Sequence, residues 1–135
     1  MIIVSVDLGK ARTGLAISDK TGFLASPLCM IEEKSEAKRL EKVAQAVKEN
    51  KAELVVVGLP KNMDGSEGDS AKSAREFAEK LTELTGIKTV MQDERGTTIT
   101  AHNYLSQRDV KGKKRKQTVD IVAASIILQD YLDSH

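Results

Sequence analysis

The run Leu54-Val55-Val56-Val57, stopped by Gly58-Leu59-Pro60, constrains the fold more than any other stretch. Consecutive apolar residues without polar alternation predict a strand buried on both faces, as in a parallel sheet covered by helices. The flanks agree. Upstream, Ala37, Leu40, Val43, Ala44 and Val47 recur at helical spacing, with Ser35 as the expected N-cap and Asn50 as the expected end. Downstream, Ser70 is the expected cap of a helix with the buried stripe Ala71, Ala74, Phe77, Ala78 and Leu81, closed by Gly86. Ile87 to Gln92 predicts a further strand, running into Asp93-Glu94-Arg95. Residues 61–70, KNMDGSEGDS, lack core periodicity and predict an exposed loop, either a flap over a ligand or a solvated connector.

The chain opens MIIVSVDLGKARTGLAISD. Ile2 to Val6 is β-branched and apolar, which predicts a strand. Ile2, Val4 and Val6 share one face; Ile3, Ser5 and Asp7 share the other. Asp7 falls where the strand ends, and Gly9 and Gly14 bracket a tight connection to a second strand, Leu15 to Ser18. Asp19-Lys20-Thr21-Gly22 reads as a turn. Phe23 to Ile31 predicts a third strand, and Pro27 marks it as an edge. Near the other end, Thr97 or Thr98 is expected to cap a short helix carrying Ala101 and Leu105. A final helix is expected over about Thr118 to Leu132, with Val119, Val122, Ala123, Ile126 and Ile127 in its stripe. The expected class is therefore α/β. Its sheet is mixed and five-stranded, three antiparallel strands then two parallel, flanked by helices.

With 135 residues the chain is expected to form a single domain over 1–135. A net charge of +1 gives no overall indication of partners, so local clusters carry that argument. The single cysteine, Cys29, excludes an internal disulfide, fits a reducing cytoplasm, and is expected to be a small buried hydrophobe. No apolar run is long enough to span a membrane, and no basic region precedes the first apolar stretch, so neither membrane association nor a signal peptide is expected.

Three carboxylates stand out by position. Asp7 and Glu94 (or Asp93) sit at strand ends, where ligands gather in open parallel sheets. Asp120 lies near the start of the last helix, on its apolar side, where an unpaired charge is costly. Together they would form an all-oxygen set suited to Mg²⁺ or Mn²⁺, the chemistry of phosphodiester hydrolysis. The plainer readings are a turn aspartate at 7 and a dipole-stabilised helix aspartate at 120. Five of the six residues 111–116 are Lys or Arg, with Lys113, Lys114, Arg115 and Lys116 contiguous. A flexible cationic segment there would hold a polyanionic backbone beside the carboxylates. Two Phe and two Tyr leave little for base stacking, so backbone and shape recognition is expected. Arg12 is placed to contact phosphate or to serve as an ordinary hairpin side chain. His102 has no evident partner, His135 is terminal, and no nucleophilic Ser or Cys finds a matching His and Asp.

These residues, in order, resemble the YqgF/RuvX family, described as pre-16S rRNA nucleases or Holliday-junction-resolvase-like proteins. The likeness runs nearly the full length. It rests on Asp7-Leu8-Gly9 with Arg12, Gly14 and Ser18-Asp19, and on Val57-Gly58-Leu59-Pro60 with Met63-Asp64-Gly65. It continues through Asp93-Glu94-Arg95 with Thr97-Thr98, Arg115-Lys116, Val119-Asp120, Ala123-Ala124 and Ile127-Leu128-Gln129. The resemblance implies a ribonuclease H-like fold and a cytoplasmic nuclease that helps mature the 5′ end of 16S rRNA. It implies Asp7, Glu94 and Asp120 as the metal-binding catalytic set, with Arg12, Arg95 and the 111–116 run facing nucleic acid. Gly96 departs from the larger residue usual in the family between Arg and Thr-Thr. The competing expectations are cleavage of branched DNA, for which a homodimer suits better than a monomer, and a nucleic-acid-binding module without catalysis. A nucleotide-binding domain of the actin and sugar-kinase type ranks last, because its members need two such domains.

Overall fold

The structure is a computed structural model, and it describes residues 1–9, 11–60, 64, 66–93 and 112–134, with the side chains of 112–121 left aside. Five strands form one sheet: β1 (Ile3–Leu8), β2 (Arg12–Ser18), β3 (Ala25–Glu32), β4 (Leu54–Leu59) and β5 (Lys88–Asp93). Their order is β3-β2-β1-β4-β5. β1 pairs antiparallel with β2, and β2 with β3, while β1, β4 and β5 run parallel. This is the expected sheet of three antiparallel strands followed by two parallel ones.

Among the described residues three helices cover it: α1 (Glu36–Glu49), α2 (Asp69–Thr85) and α3 (Gly112–Ser134). α1 and α2 share one face, because right-handed crossovers that step in one direction along a sheet deposit their helices on the same side. There Val4, Val6, Leu15, Val55 and Val57 pack with Val43, Val47, Ala74, Phe77 and Leu81. On the other face Ile3, Ala16, Leu54 and Val56 pack with Ala124, Ile127 and Leu128 of α3. β1 and β4 feed both layers, which is why Leu54 to Val57 shows no polar alternation.

The local expectations for α1 hold. Ser35 caps it by accepting from the Lys38 backbone N–H, and Asn50 ends it. α2 carries the expected buried stripe and ends at Gly86, whose φ of 72° lies in the left-handed region. Its start differs. Gly68 holds the cap position without a side-chain bond, and Asp69 fills the first turn. Ser70 is thus helical rather than a cap. Ahead of it, the Asp64 carboxylate accepts from the Ser66 backbone N–H and hydroxyl, and Glu67 pairs with Arg75 at 2.7 Å.

Three further expectations are corrected. β2 begins at Arg12, three residues before Leu15, because its first residues pair with Leu8 and Asp7. β3 begins at Ala25, since Phe23 and Leu24 belong to the turn that Asp19 builds. Pro27 does lie on an edge strand, beside a register shift between Leu15 and Ala16. Cys29 is half-buried rather than buried, and burial raises its thiol pKa. The short helix expected after Thr97, with Ala101, His102 and Leu105, lies outside the described residues, as does His135. Among the described residues, no helix is long and apolar enough to cross a membrane.

Candidate active site

Asp7 is the fifth residue of β1, two before which stands Ser5. Both belong to the face covered by α3, and the Ser5 hydroxyl donates to the Ala124 carbonyl at 2.7 Å. That bond fixes the level of α3 against β1. Gln129 fixes its direction: its side chain accepts from the Ala25 backbone N–H and donates to the Phe23 carbonyl, at the opposite end of the sheet from Asp7. α3 therefore climbs, towards its own N-terminus, to the carboxyl end of β1. Asp7 is two residues beyond Ser5, about 6.6 Å. Asp120 is one turn before Ala124, about 6 Å along the axis. The two steps match.

Asp120 is the ninth residue of α3, since the helix begins at Gly112 rather than near Thr118. It stands about 12 Å from the helix start, beyond the first turn where the dipole stabilises a carboxylate. The dipole explanation of Asp120 is thereby removed. The basic run is likewise corrected: the backbone of Gly112 to Lys116 is helical, not a flexible lead-in. Lys and Arg are good helix formers, and nothing after Gly112 breaks the turn.

The lateral neighbours of Asp7 are glycines. On β2 its partner is Gly14. On β4 the register Val6–Val57 continues to Gly58, which pairs with Gln92 of β5. The positions level with Asp7 on both adjoining strands are thus glycines. Arg12, two residues from Gly14 on β2, shares the Asp7 face and is partly exposed. Asp93 does not share it. Strand alternation from Val90, which packs towards α3, puts Asp93 with Met91 on the α1/α2 side. Glu94 and Arg95 lie outside the described residues, as do the side chains of Lys113, Lys114, Arg115, Lys116 and Asp120. Among the described residues no three His, Cys, Asp or Glu side chains gather.

The turn after Asp7 is held from behind. The Gly9 backbone N–H donates to the Arg12 carbonyl at 2.9 Å, and the Glu33 N–H donates to the Ala11 carbonyl at 2.9 Å. Arg39 of α1, only 7% exposed, donates from Nη1 to the Gly9 carbonyl at 2.8 Å. Arg39 and Ser5 went unassigned in the sequence, although both carry a signal. Arg39 precedes Val43 and Val47 at four-residue spacing, and Ser5 is the polar residue between Ile3 and Asp7 on one strand face. Arg39→Leu is expected to lower stability by about 1–3 kcal/mol, because the Gly9 carbonyl loses the charged donor that a buried arginine presents to it. Urea denaturation checks this; an unchanged midpoint would remove the anchoring role.

A family model described as RuvX, Holliday junction resolvase, matches residues 1–134. The chain belongs to the RuvX family. Among its relatives, a Clostridium botulinum protein named "Putative pre-16S rRNA nuclease" is 42% identical over 133 residues, spanning 98% of this chain and 97% of the relative. A Bacillus cytotoxicus protein of the same name is 42% identical over 136 residues, spanning 99% of each. The fold is also that of solved resolvases. Thermus thermophilus RuvC in complex with a Holliday junction substrate superposes with a TM-score of 0.64 at 12% identity, covering 99% of this chain and 94% of that one. The fowlpox virus resolvase, solved with Holliday junction DNA, gives 0.61 at 16% identity, covering 99% and 98%. The RuvX sheet order and its α3-covered face are accordingly ribonuclease H-like, as the resemblance implied.

Proposed function

We propose that this RuvX chain is a cytoplasmic, divalent-metal-dependent nuclease, a single domain over residues 1–135, that hydrolyses a phosphodiester bond in precursor 16S rRNA. One observation carries the chemistry: Asp7 is the last residue but one of β1, on the face where α3 climbs towards it, with glycines level with it on both sides. The choice of RNA is supported by the relatives' name. A hard carboxylate donor near a strand end suits Mg²⁺ or Mn²⁺, which Asp7, Glu94 and Asp120 would hold. Such ions, when bound, supply an activated water and neutralise charge at the leaving oxygen. The remaining work belongs to the chain. Arg12, Arg95 and the 111–116 run would grip phosphates on either side of the scissile bond and fix its register. Glu94 is favoured over Asp93 because Asp93 shares the Met91 face.

The cationic run begins a helix, against the sense of the helix dipole. A bound polyanion would relieve that conflict. Neutralising Lys113, Lys114, Arg115 and Lys116 to Gln is expected to weaken RNA binding and reduce the slope of log K against log salt by about 3. An unchanged slope would show that the run does not touch phosphate.

The family description favours a second reading, cleavage of branched DNA. One experiment separates them: a labelled precursor-16S 5′ leader RNA and a four-way DNA junction, each with Mg²⁺ or Mn²⁺, and Asp120→Asn as control. RNA cleavage lost in the control is the expected result. Junction cleavage alone would move the activity to recombination. Binding without cleavage of either would make the protein a non-catalytic module.

A further inference from the structure

The described residues expose four large hydrophobic side chains, and three gather at the end of the sheet remote from Asp7. Phe23 is 74% exposed, Leu24 65% and Met1 55%; the fourth, Leu84, is elsewhere. Met1 N donates to the Lys20 carbonyl at 2.8 Å, in the turn that carries Phe23 and Leu24. The turn is braced twice. The Asp19 carboxylate accepts from the Thr21 hydroxyl at 2.7 Å and the Phe23 N–H at 2.9 Å, bonds that lower its pKa. Gln129 of α3 bonds the Phe23 carbonyl at 2.9 Å and the Ala25 N–H at 3.0 Å. Two exposed apolar side chains are thus presented on a fixed backbone, which lowers the entropic cost of docking.

The surroundings are acidic. Asp133 accepts from the same Gln129 amide at 3.0 Å. Asp130, one turn away on α3, has its carboxyl pKa raised by burial and by Asp133. Both sit in the closing turns of α3, where no basic residue answers them and the dipole already carries partial negative charge. The cations at the turn are Lys20 and the Met1 ammonium that donates to the Lys20 carbonyl, and the three carboxylates of Asp19, Asp130 and Asp133 outnumber them. α3 is therefore reversed at both ends. The cations at its start fit a polyanion, and the anions at its end call for a cation.

We infer that Phe23 and Leu24, with Asp19, Asp130 and Asp133 at their rim, form a docking surface for a basic protein segment. Phosphate is repelled by that rim, so nucleic acid does not suit it. A second copy does not suit it either, since a two-fold contact would set the rim against itself. β1 runs about 17 Å from this end to the other, so the catalytic end stays open while the turn is engaged. Resting on the ribosomal-RNA reading for the partner's identity alone, the fitting partner is a lysine- and arginine-rich protein on the precursor small-subunit particle.

The test compares the wild type with the Phe23→Ser/Leu24→Ser double variant and with Asp133→Lys, all carrying Asp7→Asn so that particles stay uncut. Co-sedimentation with precursor small-subunit particles reads docking. Binding of the naked 5′ leader reads the RNA surface. Both variants are expected to bind particles at least tenfold more weakly, the order of losing a central anchor, with unchanged leader affinity, melting temperature and oligomeric state. Particle binding equal to wild type, or none by the wild type, would overturn the inference. So would an equal loss on naked leader, which would make the turn an RNA contact, or dissociation of a dimer, which would make it a self-interface. Cleavage by the protein with Asp7 intact is scored separately, so a failed nuclease reading does not pass for a failed docking surface.

Discussion

Asp7→Asn is expected to lower phosphodiester cleavage by about a thousandfold or more while leaving the melting temperature nearly unchanged. The substitution keeps size and hydrogen-bonding capacity and removes the charge. Asp7 lies near the end of a strand whose core positions, Val4 and Val6, are fully buried, and its neighbours Gly14 and Gly58 have no side chains to repack. The fold therefore loses little. On the proposed function, the reaction loses the anionic metal ligand that Asp7 would supply towards the carboxyl end of β1. Single-turnover cleavage of the leader RNA with Mg²⁺ or Mn²⁺ measures the effect, beside a thermal melt. Full activity would remove Asp7 from the metal set. A large drop in melting temperature with modest loss of rate would return it to the role of a turn aspartate.

Gly9→Ala is expected to cost about 2–3 kcal/mol of stability and about a hundredfold in rate. A Cβ at this position would lie 2.3 Å from the Arg12 carbonyl oxygen. That atom is backbone, so the clash cannot be relieved by turning a side chain. The turn must open, which breaks the Gly9–Arg12 bond at 2.9 Å and moves the carbonyl that Arg39 holds. Asp7 and Arg12 stand on either side of that turn, so both would be misplaced. Urea denaturation gives the first number, and cleavage at saturating RNA gives the second. A stability loss with wild-type rate would show that the turn supports the sheet without setting the site.

Where the signal was local, it was legible. The 3.6-residue stripes of α1 and α2, the Ser35 cap, the Gly86 end and the unbroken run in β4 follow from residues a few positions apart. Boundaries were harder where two local preferences competed. Ser70 reads as a cap, yet Asp69 extends the helix over it. Lys113 to Lys116 read as a flexible cationic segment, yet their backbone is helical, because helix propensity and repulsion between neighbours point in opposite directions. Phe23 reads as the start of a strand, yet the Asp19 carboxylate captures its backbone N–H and closes a turn instead.

By itself the sequence determined the α/β class, the strand and helix order, and Asp7 at a strand end, since each depends on a period of two or 3.6 residues. Tertiary structure alone decided which helix covers the face of Asp7. A Ser5 hydroxyl meeting a carbonyl 119 residues away, and a Gln129 amide meeting the β2–β3 turn, are long-range events that no local period encodes. The same packing separated Asp93 from the Asp7 face and buried Arg39 beneath the Gly9 turn. Burial selects one face for each helix only after crossover handedness and strand order have set which faces remain to be covered.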